Sequence, residues 1–153
     1  MRQRKGQKGF SLVELLIVVA IIGIIAAIAI PNLLASRRAA NEASAIQSIR
    51  SITSAQASYY NIGFNSYGTL DTLRTASLLD PSLANATTPS RAKSGYIFGI
   101  NNPSPVGYVV GGAPAEANSG SRNFTSDATG LIFSSAATPG TVPTSTSGSP
   151  IGN

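Results

Sequence analysis

Glu14 is the only charged side chain between Lys8 and Arg37, and it stands near the start of an apolar run. From Phe10 to Leu34 the other strongly polar side chains are Ser11 and Asn32, and Leu15 to Ile30 carries none. A carboxylate at the edge of a membrane span is costly and marks function. In the head-group layer it can also simply snorkel to water. Buried in a dry contact between helices, its charge needs a positive partner, because an unpaired one costs several kcal/mol. Enzymatic chemistry has little to work with. The chain has no Cys and no His, so it lacks a thiolate nucleophile and the commonest general base and metal ligand. No predicted element carries paired carboxylates, and no Ser has a visible base beside it. After Lys93 the only acidic residues are Glu116 and Asp127, far apart in sequence. They make a poor oxygen cage for calcium, and Asp127 reads more simply as a turn residue before Gly130. The expectation is no catalytic residue, no cofactor and no metal.

The element that must position Glu14 is a helix. The segment 10–34 would run roughly 37 Å as a helix, enough to cross a hydrocarbon core of about 30 Å. Arg2, Arg4, Lys5 and Lys8 precede Gly9. Their charge keeps the N-terminus in the cytoplasm and makes the segment a single span. An ordinary signal peptide fits less well, because the run exceeds a typical apolar region and carries a carboxylate. The net charge of +5 comes from 11 basic and 6 acidic residues. Without residues 1–9, four basic side chains go, leaving 7 against 6, or +1. The basicity therefore belongs to the N-terminal segment and gives no reason for nucleic-acid binding by the rest.

Beyond Leu34 the helical pattern continues. Ala39, Ala43, Ile46, Ile49, Thr53, Gln56 and Tyr60 recur at spacings of three and four, predicting an amphipathic outer half packed on a sheet. Pro31 predicts a kink or local melting, Gly23 weakens the helix, and Gly63 is the expected terminator. A short helix is expected over 69–79, ended by Asp80-Pro81, with a loop over 85–94. Strands are expected at 95–101, 106–112, 122–125 and 130–133, joined by short turns that favour antiparallel pairing. Residues 134–153 are uncharged and rich in Ser, Thr, Pro and Gly, which predicts a mobile tail. Tyr59, Tyr60, Phe64 and Tyr67 cap the helix against the sheet, or offer stacking contacts to a partner. The fold class is α+β: a long N-terminal helix, membrane-spanning in its apolar half, packed by its outer half on an antiparallel sheet of three to four strands. The boundaries are 1–9, a leader; 10–34, the apolar helix; 35–133, the globular part; and 134–153, the tail.

The string KGFSLVELLIVVAIIGIIAAIAIPNLL, residues 8–34, resembles the class III signal of type IV pilins and type II secretion pseudopilins. The family pattern is a basic leader ending in Gly, then Phe, a Glu four residues on, an apolar run and a Pro. These fall at Gly9, Phe10, Glu14, 15–30 and Pro31. The resemblance implies cleavage between Gly9 and Phe10 by a prepilin peptidase, which then methylates the new amine of Phe10. It further implies extraction from the inner membrane by an assembly platform and a cytoplasmic ATPase. The subunit then joins copies of itself and other pilins in a helical filament. Glu14 would pair with the Phe10 amine of a neighbour, and Gly23 and Pro31 match the stretch that melts in some filaments. The strings YYNIGFNSYGTL, KSGYIFGI and SRNFTSDATGLI are loosely pilin-like. The chain differs from pilins with a C-terminal disulfide loop, having no Cys. The expected function is a type IV pilus subunit; the alternatives are a secretion pseudopilin and a membrane-tethered binding module that does not polymerise.

Overall fold

The computed structural model describes residues 9–151; Arg2, Arg4, Lys5 and Lys8 of the leader lie outside the described residues. The chain divides into two compact units, Met1–Ala35 and Ser36–Asn153, and helix α1 (Leu12–Tyr59) contributes to both. Within the first unit α1 continues through Pro31. The local melting that proline suggests does not occur there. Proline deprives the Ala27 carbonyl of its usual backbone donor. One residue on, the Asn32 side-chain amide donates to the Ile28 carbonyl at 3.1 Å.

In the second unit the buried face of α1 is Glu42, Ala45, Ser48, Ile49, Ile52, Ala55 and Gln56. The sequence stripe was off by part of a turn: Ala39 and Ala43 are exposed. Ile49 and Ile52 set the true centre, and the small residues around them allow close approach to the sheet. At its C-terminal end α1 passes into a π turn over Tyr60–Phe64, in which Gly63 has φ 109°, and Asn65 follows at φ 46°. Gly63 thus ends the helix where expected, using the left-handed backbone that glycine tolerates. Gln56 is fully buried and doubly satisfied, donating to the Gly68 carbonyl at 2.6 Å and accepting from the Gly68 amide at 2.8 Å. That exchange ties the loop after the helix back to its last turns.

Helix α2 spans Leu70–Thr75 and helix α3 spans Pro81–Ala84. The pair Asp80-Pro81 was read as a stop, yet it starts α3. Proline suits the first helical position, where no donor is needed. Asp80 caps it by accepting from the Ser82 amide at 2.8 Å. This bond and the one from the Ser82 hydroxyl hold the Asp80 carboxyl below its ordinary pKa.

The sheet is an antiparallel meander ordered β1-β2-β3-β4-β5: β1 Tyr96–Ser104, β2 Gly107–Pro114, β3 Arg122–Asp127, β4 Ile132–Ala136 and β5 Ser149–Pro150. Four of these are the expected strands with longer ends. The fourth starts two residues later than expected, because Gly130 takes φ 77° in the turn before it. Tyr96, Phe98, Tyr108, Val110, Phe124 and Ile132 join Ile49 and Ile52 in one core.

The alternate side chains face the other way, and there the C-terminal stretch lies on the sheet. The small pair Gly99 and Gly111 sit opposite each other in register. Val142 covers both, and a Cβ on Gly111 would come within 2.5 Å of the Pro143 carbonyl oxygen. The Gly140 backbone amide donates to the Pro114 carbonyl, the Asn101 side-chain amide to that of Pro143, and the Ile151 backbone amide to that of Ile132. A fifth strand therefore comes from residues with almost no apolar surface. Backbone pairing and two glycines make room for it, which composition does not reveal.

A buried carboxylate ties α1 to the start of β3. Glu42 is 6% exposed, and its carboxylate accepts from the Ser121 amide (2.8 Å) and hydroxyl (2.7 Å). Its other oxygen accepts from Arg122 Nε (3.0 Å) and Nη2 (2.7 Å). Burial pushes the Glu42 carboxyl up, but the Ser121 and Arg122 contacts outweigh it and hold its pKa below the ordinary value. A carboxyl lowered in the folded state gives its full stabilisation above its unfolded pKa and loses it as pH falls through the folded one. Thermal stability should accordingly be flat near neutrality and fall below about pH 4.3. Glu42→Ala should cost about 2–3 kcal/mol at pH 7 and little at acid pH, read by circular-dichroism melts. An equal cost at both pH values would contradict the charged clasp. Gly111→Val should destabilise the second unit by about 1–3 kcal/mol and open residues 137–148 to proteolysis; unchanged cleavage would mean the stretch is not seated on that glycine.

Candidate processing and assembly site

Residues 9–11 lie outside the helix, and α1 begins at Leu12. The sequence explains the boundary. Ser11 is a helix cap, and Glu14 stands three residues on. The Ser11 hydroxyl accepts from the Val13 amide at 3.3 Å, and Glu14 Oε2 accepts from the Ser11 amide at 3.0 Å. This reciprocal arrangement is a capping box, which satisfies donors that the first turn leaves free. A carboxylate in the first turn also complements the positive end of the helix. The pattern S-x-x-E was present in the sequence, and Ser11 is the residue that attention to Glu14 alone misses.

Phe10 is 90% exposed and stands outside the helix, next to Gly9. The Gly9-Phe10 bond is therefore in non-helical chain, as a protease substrate must be. A Cβ on Gly9 or on Gly23 would meet nothing within 4 Å. Neither glycine is demanded by packing inside this chain. Gly23 costs its helix about 1 kcal/mol relative to Ala. From Leu12 to Leu34 the large apolar side chains are all exposed, between 44% and 72%. This is the one helix among the described residues long and apolar enough to cross a membrane.

The structure brings Glu14 to Ser11 and keeps Gly9 and Phe10 beside them in extended chain. Gly23 and Pro31 stand further along the same helix. The aromatic residues after α1 are joined as well. Tyr59 stacks on Phe64 with centroids 4.2 Å apart, and Tyr60, Tyr67 and Tyr108 form a chain of tilted contacts at 5.1 and 4.7 Å. Tyr59 and Tyr67 pack partly on the core, whereas Phe64 stays 55% exposed. Asp127 accepts from the Thr129 amide and hydroxyl, at 2.9 and 2.6 Å, within the turn after β3. The clasp of Glu42 with Ser121 and Arg122 was not visible in sequence. Its partners lie 79 and 80 residues away, and the only signal was the spacing of Glu42 from Ala45 and Ile49.

Residues 4–30 match the family described as the prokaryotic N-terminal methylation motif. The type IV wide pilus major component PilA4 of Thermus thermophilus is 63% identical over 38 residues, 25% of this chain and 29% of the relative. The type II secretion system core protein G of Escherichia coli is 33% identical over 101 residues, 63% of this chain and 66% of that protein. The type IV major pilin protein PilA of Myxococcus xanthus is 44% identical over 54 residues, 35% of this chain and 24% of its own. The chain thus spans less than two thirds of the length of each. The pilus relatives match mainly where the apolar helix lies, and protein G matches further into the second unit. With the prokaryotic N-terminal methylation motif over its exposed apolar helix and an α+β unit behind it, the chain is similar to type IV pilins and type II secretion pseudopilins.

Proposed function

We propose that the chain is made as an inner-membrane precursor, cut between Gly9 and Phe10 and methylated at the new Phe10 amine. It then assembles through residues 10–34 as a structural subunit of a type IV pilus. A prepilin peptidase does the processing; an assembly platform with a cytoplasmic ATPase does the extraction. The observation that carries the reading is the exposed apolar helix with Glu14 at its head. Lipid covers that surface in the precursor, and the same segments of other copies cover it in the filament. Cleavage creates a cation four residues from Glu14. In the dry filament core the Glu14 carboxylate then has the amine of a neighbouring Phe10 as its partner, which fixes axial register as a lone polar residue does in a coiled coil. Gly23 and Pro31 weaken the helix where packed copies must adjust to each other. Such a pilus serves adhesion, motility or DNA uptake.

A second reading is a secretion pseudopilin, favoured by the longer match to core protein G. Both readings share the N-terminal chemistry and part on where the filament stands. The third, a tether that never polymerises, leaves Glu14 only its helix-capping contact with Ser11.

Glu14→Ala distinguishes polymer from tether. The mature wild-type chain should have the mass of residues 10–153 plus one methyl group and should appear in sheared surface fibres. The variant should be cut at the same bond, remain in the membrane, and fall at least about a hundredfold in fibres, the loss of roughly 3 kcal/mol of pairing. Fibres at wild-type level would sink the assembly reading. A wild-type chain assembled but missing from surface fibres would favour the pseudopilus.

A further inference from the structure

Within Ser36–Asn153 the large apolar side chains that stay exposed are Ile62, Phe64, Val106 and Leu131. They gather at the end of that unit where α1 finishes. The Tyr67 amide donates to the Ser104 carbonyl at 3.3 Å, which holds the post-helical loop on the β1–β2 turn. Tyr67 also touches both Tyr60 and Tyr108. Val109 pairs with Asp127, so the β3–β4 turn carrying Leu131 emerges at the same end. Exposed apolar groups that cluster in this way mark an interaction surface, whereas scattered ones do not.

The chemistry of this end is specific. Phe64 is folded back flat on Tyr59, with planes 2° apart. That placement uses a π turn, Gly63 at φ 109° and a left-handed Asn65. A non-glycine residue in that region costs roughly 1–2 kcal/mol, and here the cost is spent on a ring that remains half in water. π turns inside or at the end of helices recur at functional positions. Tyr59, Phe64, Thr72, Thr75 and Ala76 line a cleft of about 330 Å³. Its lining carries no charge, and the charges beside it on α2, Asp71 and Arg74, pair with each other. No Lys or Arg occurs between Arg50 and Arg74, between Lys93 and Arg122, or after Arg122. The acid of the β3–β4 turn, Asp127, is taken up by Thr129. The exposed amides Asn61 and Asn65 flank the ring instead.

We propose that this cleft binds a sugar ring of a neutral polysaccharide, with Phe64 as the stacking platform. A flat aromatic face suits the C–H face of a pyranose. Hydroxyl and amide groups at the rim suit its equatorial hydroxyls, and the volume is at the small end of ligand clefts, right for one or two rings. A lipid would want a continuous apolar floor, and the two threonines interrupt it. An acidic polymer would want a free cation, and Arg74, beside Thr75 on α2, is already paired with Asp71 at 2.6 Å. The proposal is independent of filament formation, since every residue it uses lies in one subunit.

The test is saturation-transfer NMR on the full mature chain in a zwitterionic detergent, with cellotriose as the neutral probe and trigalacturonate as the acidic one. Transfer should reach the C–H protons of cellotriose with a Kd of about 0.1–1 mM, and should be absent for trigalacturonate. Phe64→Ala should weaken binding about tenfold, Phe64→Tyr should retain it, and Thr75→Trp, which fills the cleft from α2, should abolish it. Near-UV circular dichroism reports whether each variant keeps its fold; if Phe64→Ala does not, Thr75→Trp decides. No transfer to cellotriose, equal transfer to trigalacturonate, or binding unaltered by the folded variants overturns the proposal. So does a Phe64→Ala chain whose only defect is weaker self-association, which would make this end an interface between copies.

Discussion

An apolar helix that its own chain does not cover is the constraint on which the rest depends. Fifteen large apolar side chains between Leu12 and Leu34 are about half exposed or more. Covering them is worth on the order of 10–25 kcal/mol, using about 1.5–3 kcal/mol for each fully buried side chain. That exceeds the net stability of an ordinary domain, about 5–15 kcal/mol. The segment therefore cannot rest in water, whatever the second unit does. It must pass from lipid to a protein cover without exposure between. Glu14 is the one group for which the two covers differ in kind. At the membrane edge it meets water and the Ser11 amide; in a packed core it needs a charge. The capping box satisfies the carboxylate within its own chain, with no second molecule needed.

The second unit answers a different problem. It has no disulfide and no metal cluster among the described residues, and its core is small. Three local devices hold it. Glu42 joins α1 to the start of β3 by four hydrogen bonds, two of them from Arg122. Gln56 closes the loop after α1 onto the helix. The C-terminal stretch seats Val142 on the glycine pair of β1 and β2 and adds a fifth strand. Each relies on specific polar or backbone contacts in place of a large apolar core.

What the sequence disclosed follows from the range of each interaction. The apolar run, the position of Glu14, the end of α1 at Gly63 and the four main strands all rest on periodicity or turn chemistry within a few residues, and those readings hold. The expected helix stripe leaves out Glu42, which is buried with its distant partner Arg122. Asp80-Pro81 reads equally as a stop or a start, and the apolar Leu83 behind it decides for a start. The fifth strand was hidden because its energy comes from backbone pairing and from a hollow over Gly99 and Gly111, neither of which leaves a hydrophobic pattern. Of the N-terminal site, Glu14 was plain and Ser11 was overlooked, although the two are three residues apart.

The central claim is that Glu14 exchanges a partner in its own chain for one in a neighbour. Solid-state NMR on filaments co-assembled from two pools measures this directly. One pool carries ¹⁵N in Phe, where the Phe10 amine is resolved from the amides by its shift, and the other carries ¹³C in the Glu carboxyls. The account predicts dipolar coupling between the Phe10 nitrogen of one subunit and the Glu14 carboxyl of another, at ion-pair distance of about 4 Å or less. Absence of coupling between the pools, with coupling retained inside a doubly labelled subunit, would contradict it.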